Sequence, residues 1–252
     1  LSFFELVVLA GFLLARYNKV DVLISEVGLG GRHDATNVIS HDVALLTTVD
    51  LEHTQVLGDT REQILAEKIQ VTRPGHYLVS ALEGLEGALA KWQTEIGFKR
   101  VSVPESAPRV KGINPRLLAC CAAVMTQVVG SDSWQNDPVY QHTKVPFRSM
   151  VIGPGPTLVD TAHNEAAVRY LLQLLSADYG VSRWRVVFNV RADRDIYAFY
   201  KALQDWQCDV YLLDVKGCHK RQDLASELSA LRWISKGQLS RFIEDQEPLL
   251  IV

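Results

Sequence analysis

The chain has 252 residues, 48% hydrophobic and 22% charged, with a formal net charge of -3. That is the composition of an ordinary globular protein of one large or two smaller domains, with no basic footprint for nucleic acid. Cys120, Cys121, Cys208 and Cys218 show no C-x-x-C spacing, which argues against a disulfide or zinc framework and leads us to expect reduced thiols and a cytoplasmic location.

Residues 2–17 predict a helix that is apolar on most faces and therefore buried. The apolar start, Leu1 to Leu14, is too short for a membrane span, contains Glu5 and has no basic leader, so neither membrane insertion nor a signal peptide is expected. Val20-Asp21-Val22-Leu23-Ile24 predicts a buried strand that ends at Glu26. The loop Gly28-Leu29-Gly30-Gly31 follows. Glycine costs backbone entropy, and it is kept where the chain takes unusual angles or passes close to a ligand. Ligands of open α/β sheets sit at the C-terminal ends of strands, which makes Glu26 a candidate metal or phosphate neighbour. The bland alternative is a tight turn with a solvated carboxylate.

Residues 42–47 predict a second buried strand, running into the polar loop 48–58. A helix capped by Thr60 carries Ile64, Leu65, Lys68 and Val71 and stops at Arg73-Pro74-Gly75. A strand at 76–80, a helix near 83–96 and a helix from Asn114 to Val128 come next. Residues 130–146 are polar, contain two prolines and predict a connection, with a domain boundary near Val145. A hairpin about Gly153-Pro154-Gly155-Pro156 opens the second half. Helical spacing at Val168, Leu171, Leu172 and Leu175, a strand at 186–188, helical spacing at 196–203 and strands at 209–213 and 248–252 complete it. Strands alternating with helices imply an α/β fold with mainly parallel sheets.

Several ordered motifs now bear on function. Glu26-Val27-Gly28-Leu29-Gly30-Gly31 with Asp34-Ala35-Thr36-Asn37 resembles the signature of folylpolyglutamate synthase and the bifunctional dihydrofolate synthase, in the Mur ligase superfamily. Leu51-Glu52-His53-Thr54 with Leu57-Gly58, Glu67-Lys68-Ile69, Asp160-Thr161-Ala162-His163-Asn164 and Asp193-Arg194-Asp195-Ile196 resemble further family motifs in the same order. The resemblance implies a P-loop-type central ATPase domain over 1–145 and a Rossmann-like C-terminal domain over 146–252. It implies a ligase that activates a dihydropteroate or folate carboxylate with ATP and joins it to glutamate, acting as a monomer with Mg²⁺ and without nucleic-acid or membrane partners.

By the same resemblance Glu26 and His53 are metal ligands, and Lys68 is a carbamylated lysine that helps hold a metal, with His53 and Lys68 also serving catalysis. Magnesium prefers oxygen ligands from a few carboxylates, phosphates and water, which suits Glu26 and a carbamylated Lys68. Asn114, Arg148, Asp160, His163 and Asn164 are the implied nucleotide contacts, Asp160 near ribose and His163 near phosphate. Asn114, Asp160 and Asn164 also have plain roles as helix or turn caps.

Glu52, Ile69-Gln70, Phe147 and Glu165 depart from the family pattern, and no G-x-x-x-x-G-K-[ST] occurs. Lacking an initiator Met and closing on a strand, the chain is expected to be a fragment of a longer protein and inactive by itself. Two other readings stand beside the ligase. One is a non-catalytic module that binds a nucleotide or partner. The other is a dinucleotide-binding oxidoreductase, whose G-x-G-x-x-G fingerprint fails at His33.

Overall fold

The computed structural model describes residues 1–80, 82–101, 103, 115–130, 147, 149–152, 156–181, 183–192, 194–245 and 247–252. The chain divides into two compact units, whose described residues run from 1 to 130 and from 147 to 252.

The first unit opens with α1 (Phe3–Asn18), begun by a capping box between Ser2 and Glu5 and closed at Lys19 in the left-handed conformation. None of its residues is buried, contrary to the expectation from its apolar faces. Its contact with the glycine loop runs through Phe4, whose ring lies against Gly28. Residues 20–24 form no strand, and Val22, Leu23 and Ile24 are exposed. A strand exists only through ladder partners, and among the described residues β1 (Val43–Leu46) pairs with β2 (Tyr77–Ser80) and nothing pairs with 20–24. Glu26 therefore stands in an irregular, exposed stretch and not at a strand end.

Parallel strands β1 and β2 are joined by β3 (Lys99–Val101), a short strand not foreseen from the sequence. One face of this sheet packs Leu46 and Leu78 on Ile64, Leu65 and Ile69 from α3 (Arg61–Lys68) and its 3₁₀ extension, and on Leu89 from α4 (Glu86–Ile96). The other face packs Val79 against Cys120 and Ala123 of α5 (Pro115–Val129). Between β1 and α3 lies a one-turn helix, α2 (Thr54–Leu57).

The second unit holds β4 (Met150–Ile152), β5 (Thr157–Val159), α6 (Glu165–Tyr179), β6 (Arg185–Phe188), α7 (Ile196–Gln204), β7 (Asp209–Leu213), α8 (Ser226–Ser229), β8 (Arg232–Ile234), α9 (Lys236–Glu244) and β9 (Leu249–Ile251). Its six-stranded sheet runs β4-β5-β9-β6-β7-β8, parallel except for β4 against β5. Val168, Leu171, Leu172 and Leu175 of α6 are buried with Phe199 and Leu203 of α7 on one face. Leu239, Phe242 and Ile243 of α9 cover Val187, Tyr211 and Leu249 on the other. The last strand lies between β5 and β6 and receives hydrogen bonds from both sides. No described helix is long and apolar enough to cross a membrane.

Candidate functional site

In the first unit the glycine loop is shaped by one carboxylate. Asp34 Oδ2 accepts the N–H groups of Gly28 (3.0 Å) and Leu29 (3.1 Å), while Oδ1 accepts Thr36 N–H (2.9 Å) and Thr36 Oγ1–H (2.6 Å). The same side chain caps the 3₁₀ helix Ala35–Val38. Partial burial works to raise the Asp34 pKa, but the bonds from Thr36, Leu29 and Gly28 outweigh it and hold the carboxyl below its usual range. Two backbone donors of the glycine loop are thus already taken within the loop itself. The loop also leads into a 3₁₀ turn and not an α-helix, which removes the dinucleotide fingerprint from consideration, since that motif needs a helix N-terminus.

The glycines serve close contact between segments. Gly30 has φ +70°, and a Cβ there would lie 2.9 Å from Leu57 Cδ2 in the helix that His53 begins. A Cβ on Gly31 would lie 2.8 Å from the carbonyl oxygens of both Glu67 and Lys68. Arg32 N–H donates to Glu67 O (3.0 Å), and Arg32 Nε–H to Glu67 Oε1 (2.9 Å). Asn37 Nδ2–H reaches Gln70 O (3.2 Å), and Arg73 Nη2–H reaches Asn37 Oδ1 (2.7 Å). Arg61 donates to Val49 O (2.9 Å) and Glu83 O (2.8 Å), tying the loops after β1 and β2 to the start of α3. The glycine loop therefore meets the Leu57 side chain of α2 through Gly30 and the backbone at the Lys68 end of α3 through Gly31.

His53 has φ 51° and ψ 39°, a left-handed backbone rare outside glycine, asparagine, aspartate and histidine, and its carbonyl starts α2. Such strain is held by surrounding structure and concentrates at functional positions. His53 and Glu26 are exposed and Lys68 is half-buried. Among the described residues none of these three side chains makes a hydrogen bond or ion pair. Nor, among them, do three His, Cys, Asp or Glu side chains form a ready-made metal cluster. The three candidates are one carboxylate, one imidazole and one lysine.

In the second unit Asp160 follows β5 and is buried. Its carboxylate accepts Ser149 N–H and Ala162 N–H, each at 2.8 Å, so it shapes the turn into α6. Asn164 caps α6 by accepting Ala167 N–H at 2.8 Å. His163 is exposed, and its Nδ1 lies 3.0 Å from Thr161 O. A carbonyl only accepts, so Nδ1 carries the hydrogen and Nε2 is left pointing away from that bond. Asn114 and Arg148 lie outside the described residues. The sequence did not single out Asp34, Asn37, Arg61 or Arg73 for a role. The Asp-x-Thr spacing at 34–36 was a readable cap signal, but the arginine tethers join residues up to 36 positions apart and leave no local trace.

No family model matches the chain. A dihydrofolate synthase/folylpolyglutamate synthase of Escherichia coli is 28% identical over 235 residues, which cover 82% of this chain and 56% of that protein. The chain thus spans about half the length of that relative. Its fold matches E. coli FolC in complex with ADP, without folate substrate, at a TM-score of 0.83 and 25% identity, covering 100% of this chain and 68% of the other. It also matches a bifunctional folylpolyglutamate synthase/dihydrofolate synthase with Mn, AMPPNP and L-glutamate bound, at a TM-score of 0.76 and 27% identity, with the same coverage.

Proposed function

We propose that this chain, a relative of the dihydrofolate synthase/folylpolyglutamate synthase proteins, is the part of an ATP-dependent ligase that joins L-glutamate to dihydropteroate, to tetrahydrofolate, or to both. The observation that carries the reading is the glycine-loop junction, in which Gly30 meets the side chain of Leu57 in the helix that follows His53 and Gly31 meets the Lys68 backbone. It links segments of three motifs, at positions 26–31, 51–58 and 67–69 of the chain. Their chemistry-bearing side chains are left unengaged there.

A divalent cation suits this donor set. Glu26 would supply a carboxylate oxygen, His53 an imidazole nitrogen and a carbamylated Lys68 two more oxygens, with phosphates and water as further ligands. A bound Mg²⁺ would neutralise phosphate charge as the γ-phosphoryl group moves to the substrate carboxylate and forms an acyl phosphate. The chain's own residues have separate tasks. Asp34 and the Arg32–Glu67 pair hold the loop after Glu26 against α3. The strained His53 turn presents its ring to solvent. In the second unit Asp160 and Asn164 hold the turn that carries His163, which as an imidazolium would donate from Nε2 to a phosphate oxygen while its Nδ1–H stays on Thr161 O. Asn114 and Arg148 are assigned to the nucleotide by the same reading.

The test is ATP- and Mg²⁺-dependent incorporation of labelled glutamate into dihydropteroate or tetrahydrofolate. It is run on the 252-residue chain and on a chain extended to the length of the E. coli relative. The short chain is expected to be inactive, because its sequence has no P-loop and a single preorganised donor is worth about 100- to 1000-fold in rate. The extended chain should turn over, and E26Q, H53A and K68A should each lower its kcat by about 100-fold or more. An extended, folded chain without turnover would refute the ligase and favour a nucleotide- or partner-binding module.

A further inference from the structure

Lys68 is bracketed by hydrogen bonds on both of its flanks. On one side Arg32 holds Glu67, N–H on the carbonyl (3.0 Å) and Nε–H on Oε1 (2.9 Å). On the other side the α-helix gives way to the 3₁₀ turn Ile69–Val71. There the Gln70 carbonyl accepts two donors, Asn37 Nδ2–H (3.2 Å) and Arg73 Nη1–H (2.7 Å). Thr72 closes the turn with its N–H (3.0 Å) and its hydroxyl (2.7 Å), both on Ile69 O.

Arg73 ties this turn to the segment that follows the glycine loop. Its Nη1 also donates to Thr72 O (3.0 Å), and its Nη2 donates to Asn37 O (3.0 Å) and Asn37 Oδ1 (2.7 Å). Asn37 in turn donates to Arg32 O (3.3 Å), so a continuous path of bonds runs from Glu67 through Arg32, Asn37 and Arg73 to Gln70. A helix end leaves carbonyls without partners, and one donor is enough to cap each. Gln70 O instead uses both of its lone pairs, on side chains from two segments. Asn37 and Arg73 are half-buried, where such bonds are stronger than in open water. Every bond of this frame uses atoms beside Lys68, and none uses its amine.

We propose that Asn37 and Arg73 are positioning residues for Lys68, fixing the backbone from which its side chain leaves. The inference rests on the ligase reading, which gives Lys68 its part in the chemistry. A displacement of about 1 Å at a reacting group, set by a change away from it, can cost about 100-fold in rate. A guanidinium suits the task, because one rigid plane reaches Gln70 O, Thr72 O and Asn37 together. A lysine at position 73 keeps the charge and loses the fork.

The test has two readouts. The first is amide hydrogen exchange in the 252-residue chain, where R73Q should speed exchange at Thr72 about tenfold more than at Leu78 and Val79 of β2. Equal loss of protection at all three would make Arg73 a general stabiliser, and no change at Thr72 would show that it holds nothing there; either result overturns the proposal. The second readout is the kinetics of the extended chain. R73Q and N37A should each lower kcat by about tenfold or more, with KM for ATP and for glutamate within about twofold of the wild type. R73K should recover part of the loss. In a K68A background R73Q should cost nothing further, because a residue that acts through Lys68 has nothing left to position. Should R73Q not fold, R73K carries the same comparisons. Additive losses from R73Q and K68A, or an R73Q enzyme as fast as the wild type, overturn the proposal and leave the ligase reading intact. An extended, folded wild type without turnover removes the ligase reading and this inference with it.

Discussion

Replacing Gly31 and Gly87 by alanine, one at a time, should move stability in opposite directions. Chemically the two changes are identical. At Gly87, in the first turn of α4, a Cβ meets nothing within 4 Å. Alanine there should stabilise by about 0.5–1 kcal/mol, from helix propensity and a less flexible unfolded chain. At Gly31 the added Cβ would sit 2.8 Å from two carbonyl oxygens and 3.1 Å from Lys68 Cα. Carbon and oxygen normally approach no closer than about 3.3 Å, so the loop must retreat by about half an ångström. These neighbours are backbone, which cannot rotate away. Overpacking of this kind costs about 1–3 kcal/mol. Weakening the 3.0 Å Arg32–Glu67 backbone bond adds about 0.5–1.5 kcal/mol. Subtracting the gain of about 0.4–1 kcal/mol from a stiffer unfolded chain leaves a net loss of about 1–3.5 kcal/mol. Because the chain has two compact units, a single unfolding midpoint is not defined. Hydrogen exchange at the buried β2 amides, Leu78 and Val79, reports on the first unit directly. Equal protection in G31A and G87A would show that the loop does not press on α3, and the junction argued for the site would fall with it.

Asp34→Ala should destabilise the first unit by about 2–3 kcal/mol, through loss of a cap and an unpaired hydroxyl on buried Thr36, read by the same exchange measurement. Acid should weaken this unit in two steps. Burial, then the charge of Arg73, hold the His41 pKa below its ordinary value against the pull of Asp42, with His76 adding to the lowering. The folded state thus binds fewer protons, and stability is lost as pH falls below about 6.5. Asp34, also depressed, adds a loss below about 3.8 as it protonates. H41Q should abolish the upper step, and persistence of that step would refute the assignment. Burial pushes the Cys208 thiol up to about 11, so at pH 8 its thiolate fraction is about 0.1%, and alkylation by iodoacetamide should be roughly 100-fold slower than for an ordinary thiol. Mass spectrometry of the labelled peptides decides this.

Local periodicity carried far along this chain. The spacing of Val168, Leu171, Leu172 and Leu175 marks one face of a helix in any context, and all four are buried. The caps at Thr60, Asn164 and Asp195 were likewise written locally, because a cap bonds within three residues of itself. Strands are different, since their hydrogen bonds go to another segment. Val20–Ile24 has the composition of a buried strand and forms none. Lys99–Val101 and Arg232–Ile234 carry charge, run for three residues and pair at sheet edges, where polar side chains are tolerated. Residues 249–251 were legible as a strand, but their place between β5 and β6 is a matter of topology. The motifs singled out Glu26, His53 and Lys68 as candidates for the chemistry. The tertiary structure decided how the segments around them are held, with Gly31 admitting the α3 backbone, Asp34 occupying the loop donors and arginines tying distant carbonyls. Propensity and capping act over a few residues and can be read in one dimension. Close approach and hydrogen-bond partnership across 30 or more positions exist only once the chain has folded.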